Sequence, residues 1–290
     1  MDLLVQGIVS GVLIGGLYAL MSIGLSLSWG ALKIINLAHF SFILLSAYLV
    51  YQLAINFQVN PLLLTLLVVP LFFGVGALMQ IFFHRAKLDE FKSLIVTFGV
   101  FIILQSMIQT IWSADFRRIG SEVNVFEGGS IGLGGITLAY PVLLAFIVAV
   151  AIAVAMSLVL SHTYFGKAVR AVAQDAEMAR AFGIDPNRVA VMLSGVATAI
   201  SALAGVFIAI GQALWPGVAV GWFGVVFPVV ILGGLGNTVG ALTAGVIVGV
   251  AAGVASVVWS PIAAPLVTFV ILIAALLFRP QGLLTSRSVA

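Results

Sequence analysis

Hydrophobic residues run along this chain in blocks of about twenty, set apart by short polar interruptions. By length the blocks fall at about 4–29, 39–56, 61–83, 93–113, 138–161, 188–211, 223–236, 238–259 and 264–279. A helix needs about 20 apolar residues to cross a hydrocarbon core ~30 Å thick. The pattern predicts an all-α integral membrane protein, a polytopic bundle of about 8–9 spanning helices forming one domain over residues 1–290. The seventh block is short, and the sixth to eighth are almost continuous. The first begins Met1-Asp2 with no basic segment before it and no evident cleavage site, so it is read as a helix that stays.

Two interruptions break helices instead of joining them. The stretch WGALKIINLAH (29–39) follows the first block, and GQALWPGVAVGW (211–222) follows the sixth. Five crossings separate the two units, and an odd offset gives them opposite orientations in the membrane. That predicts an inverted repeat with broken helices, an arrangement whose breaks border a translocation path. Gly7, Gly11 and Gly15 recur every fourth residue in the first block, as do Gly245, Gly249 and Gly253 in the eighth. Such ladders let helix backbones approach closely, within a subunit or between two.

Composition sharpens the membrane reading. Of 290 residues, 63% are hydrophobic and 7% charged, with mean hydropathy +1.29. A soluble domain carries about 25% charged residues to face water. The net charge is only +3, but its placement is informative. With the N-terminus outside, Lys33, Arg85, Lys87, Lys92, Lys167, Arg170, Arg180, Arg188, Arg279 and Arg287 all fall on the inner side, and Arg117 and Arg118 alone on the outer. Short inner loops hold the excess of Lys and Arg, so the C-terminus is expected in the cytoplasm. The outer loop at about 114–137 carries Glu122, Glu127 and GGSIGLGG, material for a turn or small hairpin that serves as a docking surface or a solvated connector.

Candidate chemistry is mostly absent. All nine acidic residues fall in loops or at helix ends, whereas proton and ion relays place carboxylates inside a span. The chain has no cysteine, and His39, His84 and His162 are far apart, near membrane edges and without zinc-protease spacing, so no metal site is expected. Ser26 has the small-residue setting of an intramembrane protease nucleophile, but no histidine is placed to activate it. A phosphate loop fails twice around Gly166-Lys167: Ser161 stands where its first glycine belongs and Ala168 where a hydroxyl would hold magnesium. No catalytic residue is assigned. Asn36 and His39 at the first break, Gln105 and Gln109 one turn apart in the fourth block, and Asn237 are the polar candidates for a path, each equally able to satisfy neighbouring backbone.

One polar segment stands out, GKAVRAVAQDAEMARAFGID at 166–185. From Lys167 to Phe182 it has strong helix formers and no internal Gly or Pro. Val169, Val172, Ala176, Ala179 and Phe182 recur at three- and four-residue intervals as one apolar stripe, with Lys167, Arg170, Gln174 and Glu177 on another face. Gly183 suits the left-handed end of a helix, and Asp185-Pro186 the start of the next. A short amphipathic helix is expected, made for docking a protein or for connecting two spans.

The stretch AVAQDAEMARAFGIDPNRVAV resembles the cytoplasmic coupling segment of permeases in branched-chain amino acid ABC importers, the LivH-type family. GVLIGGLYALMSIGLSLSWGALKIINLAH, ILGGLGNTVGALTAG and FRPQGLL agree with it, in the family's order along nearly the whole chain. The family commonly has glycine after the Asn-x-Ala-His element, where this chain has Phe40, a bulk set against a standard aliphatic substrate if it lines the path. The resemblance implies a second related permease in a heterodimer, two cytoplasmic ATPase subunits that hold ATP and magnesium, and a periplasmic solute-binding protein. It places the chain in the bacterial inner membrane as a non-catalytic subunit. It makes 166–183 the coupling helix, with Arg170, Gln174, Asp175, Glu177, Arg180 and Gly183 at the ATPase. Hydrophobic amino acids are the expected solutes; relatives move urea, short amides or aromatic acids. The competing reading is a passive channel for a small neutral solute.

Overall fold

The computed structural model describes residues 2–133, 135–260, 263–278 and 282. Eleven helices and one hairpin are seen among them: α1 (Asp2–Leu32), α2 (Ala38–Phe57), α3 (Thr65–Arg85), α4 (Glu90–Trp112), β1 (Ser130–Leu133), β2 (Ile136–Ala139), α5 (Tyr140–His162), α6 (Tyr164–Gln174), α7 (Ala176–Ala181), α8 (Pro186–Gly211), α9 (Val218–Gly233), α10 (Thr238–Val258) and α11 (Ala263–Phe278). The nine apolar blocks correspond to α1–α5 and α8–α11. Seven are long and apolar enough to cross a membrane; α9 and α11 are shorter. The seventh block shifts most: its helix begins at Val218, because the run from Val218 to Trp222 holds one glycine, Gly221, and no proline. Arg279, most of FRPQGLL and Arg287 lie outside the described residues.

At one end of the bundle, β1 and β2 pair antiparallel from Ser130 opposite Ala139 to Leu133 opposite Ile136, so the loop at about 114–137 does carry a hairpin. Gly135 takes φ 89° in its turn, a backbone shape that L side chains resist. Gln6 ties this hairpin end to α1, its Nε2 donating to Thr137 O at 2.9 Å and its Oε1 accepting from Thr137 N at 2.8 Å. At the opposite, basic end, Asp89 caps α4 by accepting from Lys92 N at 2.8 Å, and it pairs with Lys92 Nζ at 2.9 Å. The Lys92 hydrogen bonds hold the Asp89 carboxyl below its usual range.

α8 is the axis of the bundle, with 83% of its apolar stretch buried against 17% for α4 and α5 on the outside. The packing has a repeat in it. α1 lies along α10 and α8 along α3; α2 meets α8 and α9 meets α1; α2 touches α4 and α9 touches α11. Exchanging α1, α2, α3 and α4 with α8, α9, α10 and α11 maps each of these contacts onto its counterpart. This is what an inverted repeat requires, and it pairs the two broken helices α1 and α8 with each other.

The glycine ladders meet inside the subunit. A Cβ added at Gly15 would come 2.5 Å from Gly245 O, one at Gly11 2.6 Å from Gly249 O, and one at Gly7 3.1 Å from Gly253 O. In the counterpart pair, a Cβ at Gly76 of α3 would come 2.5 Å from Ser194 O of α8. Lipid is as apolar as leucine, so close van der Waals contact carries helix association where the hydrophobic effect cannot. Gly249→Leu is expected to destabilise by about 1–3 kcal/mol through overpacking and to lower the thermal unfolding midpoint in detergent. Gly74→Ala, where a Cβ meets nothing within 4 Å, should not lower it. Equal midpoints for wild type and Gly249→Leu would remove the ladder as a stabilising contact.

Candidate functional site

The first break starts where α1 stops at Leu32: Lys33 takes φ 56°, and five residues later, at Ala38, the chain re-enters helix. Backbone groups opened by a break must find partners in a membrane. Thr97 of α4 supplies two of them, its hydroxyl accepting from Leu37 N at 3.1 Å and facing Ile35 O at 3.3 Å. Ser41 adds a bond to Phe101 O at 3.1 Å. Sequence reading missed Thr97, since one threonine in an apolar helix looks like any other.

His39 is not at a membrane edge. Its Nε2 hydrogen-bonds Met21 O at 2.8 Å, and its ring lies beside Gly24. Met21 is eleven residues before the end of α1, about 16 Å along the axis, so the break folds back into the bundle and carries the imidazole with it. Asn36 is buried beside it, with no partner for its side-chain Oδ1.

Ser26 is occupied elsewhere. Its hydroxyl accepts from Gly236 N at 3.0 Å and lies 3.4 Å from Gly234 O, while its carbonyl also accepts from Gly236 N. Gly234 and Gly236 take φ 87° and 79° in the GGLG turn between α9 and α10. Ser26 thus pins the end of α1 to that turn, and the His39 Nε2 is committed to Met21 rather than to Ser26. Asn237 caps α10 through Gly240 N at 2.9 Å, which gives that path candidate a structural role.

Past the first break, Phe40 is completely buried in an aromatic cluster that joins the two halves. Its ring lies 4.0 Å from Phe223 and 5.7 Å from Phe227 of α9; Phe101 of α4 meets Phe223 at 5.2 Å and Trp29 meets Phe227 at 6.0 Å. The cluster fills the space between the resumed helices α2 and α9.

The second break, 212–217, is held from outside. Arg117 and Leu214 exchange backbone bonds at 2.8 and 2.7 Å, and Asn124 Nδ2 donates to Ile210 O at 2.9 Å. Gln105 Nε2 donates to Pro216 O, and its Oε1 is buried without a partner. Gln109, one turn on, is exposed on the outside of α4, so the two amides do not act together. Between this break and the middle of α1 opens a cavity of about 260 Å³, lined by Tyr18, Met21, Gln212, Trp215, Gly217 and Trp222 among others. Nothing in the spacing of these residues marked them, because α1 and the break are about 200 positions apart.

The polar segment is two helices. Asp175 takes φ −154° and ψ 106°, and its carboxylate accepts from Glu177 N and Met178 N, both at 2.9 Å. Its short acceptor side chain caps a new helix more readily than it continues the old one. α6 packs on α5, α8 and α1, burying Ala168 and Val169, and Gly166 sits so close to the Leu160 carbonyl that no side chain would fit. Arg170 also reaches back to Leu160 O. The expected apolar stripe divides: Val169 and Ala179 are buried, whereas Phe182 is 80% exposed, as is Met178 at 56%. Gln174, Asp175, Glu177 and Arg180 are exposed beside them.

Gly183 takes φ 83°. Ile184 N donates to Ala179 O and Gly183 N to Arg180 O, both at 3.0 Å, the double bond pattern of a glycine-ended helix. Asp185 then caps α8, accepting from Asn187 N at 3.0 Å.

Among the described residues, no group of three or more His, Cys, Asp and Glu could hold a metal ion. No solved structure matches the chain. The high-affinity branched-chain amino acid transport permease BraD of Pseudomonas aeruginosa is 26% identical over 292 residues, covering 96% of this chain and 95% of that one. LivH of Escherichia coli K12, a permease of the same description, is 27% identical over 298 residues, covering 96% and 94%. A probable branched-chain amino acid transport permease of Methanocaldococcus jannaschii is 23% identical over 297 residues, covering 97% and 93%. Residues 7–276 match the family described as branched-chain amino acid transport system / permease component, from the first glycine of the α1 ladder almost to the end of α11. The chain belongs to that family.

Proposed function

We propose that this chain is the permease subunit of an ATP-binding-cassette importer for branched-chain or other hydrophobic amino acids, one permease domain over 1–290. In this reading it lies in the bacterial inner membrane with its N-terminus outside. It pairs with a second, related permease and takes solute from a periplasmic binding protein. Two cytoplasmic ATPase subunits hold ATP and magnesium, and this chain itself is not catalytic.

The observation that carries the reading is α7, a short helix with Glu177 and Arg180 at its surface and with Met178 and the flanking Phe182 standing free. Apolar side chains presented among exposed charges, on a segment braced at both ends, fit the cleft of a protein partner. Arg170, Gln174, Asp175, Glu177, Arg180 and Gly183 are assigned to that contact. ATP-driven closure of the ATPases would press on α7, and α6 would pass the load to α1, α5 and α8. α1 and α8 are the two broken helices, so the load arrives where the repeat can change shape.

The path runs from the cavity at the second break, past Phe40 and Phe223, to Asn36 and His39. Gln105 steadies the second break; Gln109 and Asn237 are the weakest of the proposed path residues, being exposed and engaged in a cap. An apolar solute crosses such a route with few polar contacts, and the interior carboxylate that a proton-driven carrier would need is missing. The filled aromatic cluster speaks against a permanently open channel. Uptake of labelled leucine and of urea into liposomes, with and without ATP and the co-purified ATPases, separates the readings. Leucine uptake that depends on both supports the importer; ATP-free passage of urea by the chain alone supports the channel.

Two variants test the parts. Gly183→Val forces a β-branched residue into the left-handed region at a cost of about 1–2 kcal/mol, roughly five- to thirtyfold in the population of the docked segment. It should insert normally yet lose ATPase stimulation by loaded binding protein, and Gly183→Asn, which tolerates that conformation, should keep most of it; equal stimulation in all three would sink the coupling role. Asn36→Leu replaces a side chain whose Oδ1 has no partner and should leave the thermal midpoint nearly unchanged. Uptake should nevertheless fall severalfold, whereas a lowered midpoint would show Asn36 to be structural.

A further inference from the structure

At the basic end of the bundle, the end of α3 and the first two turns of α8 border a groove of about 510 Å³. Ile81, Val191 and Met192 form its floor, with Met192 half exposed, and His84, Arg85 and Arg188 its rim. The arrangement has a direction. Arg85 ends α3 and Arg188 lies in the first turn of α8, so the cations stand at the helix ends. Ile81 and Met192 lie one turn deeper along the same helices, about 6 Å toward the middle of the membrane. Charge at the interface with an apolar bed beneath it is the profile of a phospholipid.

The charges favour an anionic one. Arg188 Nε is paired with Asp185 Oδ2 at 3.2 Å, but Asp185 also caps α8 and the rest of the guanidinium is free, its side chain 87% exposed. Arg85 has no carboxylate within ion-pair distance among the described residues. Two guanidiniums against one carboxylate leave one positive charge uncompensated. His84 adds a ring already in contact with Gln80 Nε2 at 3.4 Å. A free phosphate would use the rim alone and leave the apolar floor in water; a lipid headgroup with its acyl chain uses both.

We propose that this groove is a binding site for an anionic phospholipid, held by Arg85 and Arg188 through its phosphate and by Ile81, Val191 and Met192 through the start of an acyl chain. The site goes beyond the transport reading and does not depend on it. It clamps α3 to α8 where their small-residue packing ends, and it stands next to Asp185, the cap through which α7 joins α8.

Native mass spectrometry tests this on the full chain, purified with its co-purifying subunits in mild detergent. The probes are phosphatidylglycerol and phosphatidylcholine with identical acyl chains, and inorganic phosphate in large excess. Wild type should retain phosphatidylglycerol over phosphatidylcholine, and phosphate should not displace it. A basic residue near an anionic lipid surface is worth roughly fivefold, so Arg85→Gln with Arg188→Gln should weaken phosphatidylglycerol binding by roughly 30-fold. Met192→Trp, which fills the floor and leaves both charges, should weaken it as well. Lys92→Gln, at the same end but outside the groove, should not. Equal retention of the two lipids, an unaffected double variant, or displacement by phosphate with no effect of Met192→Trp would each overturn the proposal, the last by showing a plain anion site.

Discussion

Lipid tails are no less apolar than leucine, so no force expels a spanning helix from hydrocarbon toward its neighbour; only contact does. In this chain the most extensive helix contact is backbone on backbone, where Gly7, Gly11 and Gly15 of α1 face Gly253, Gly249 and Gly245 of α10. These two helices come from opposite halves of the sequence. Their approach sets how far apart the halves lie, and the counterpart approach of α3 to α8 through Gly76 sets the same distance on the other side. Everything between the two seams inherits its position: the breaks, the aromatic cluster and the turn that Ser26 holds. Gly30 shows how tight the inheritance is, for a Cβ there would come 2.6 Å from Gly236 Cα.

A broken helix is costly in hydrocarbon, because each opened N–H and C=O lacks water. The chain meets that cost differently at its two breaks. At the first, a hydroxyl from another helix serves, Thr97 of α4 for Ile35 and Leu37. At the second, the loop between α4 and β1 serves with its own backbone at Arg117 and with the Asn124 amide. The first break is therefore locked within the bundle, and the second depends on a segment at the membrane surface.

Periodicity made the helices, the ladders and the repeat legible, while the pairing of one ladder with the other came only from the fold. Blocks of twenty apolar residues have one outcome in a bilayer, and glycine every fourth residue leaves a groove that another backbone fills. Local chemistry was legible too: Gly183 and Asp185-Pro186 act as their types dictate. What failed were statements about depth and direction. His39 reads as an edge residue by position, yet the chain folds back after Lys33 and buries it against Met21. The polar segment reads as one helix, since nothing in a propensity sum registers that Asp175 gains two N–H bonds by ending one helix and starting another. Gln105 and Gln109 share a helix face only nominally, as one reaches Pro216 and the other faces outward. Phe223, Trp215 and Trp222 needed the fold itself, because their neighbours are set by contacts across nearly two hundred residues.

The break at Asp175 matters for how a push on α7 would travel in the importer reading. One straight helix from Lys167 to Phe182 would bury its stripe along its whole length and leave nothing apolar for a partner. Division at Asp175 gives the two halves separate tasks. α6 keeps Ala168 and Val169 against the bundle and is fastened to α5 by the close fit of Gly166 and the reach of Arg170 to Leu160. α7 turns Met178 and Phe182 outward. Its far end is fixed as well, through Gly183 and Ile184 into the Asp185 cap of α8. A segment capped at both ends, with one extended residue between two rigid pieces, cannot absorb a displacement by fraying. In the importer reading it would hand the displacement to α8 on one side and to α1 and α5 through α6 on the other. Since α1 and α8 are counterparts in the repeat, one push at α7 would in that reading load both halves of the repeat at once, as alternating access between two faces of a membrane would need.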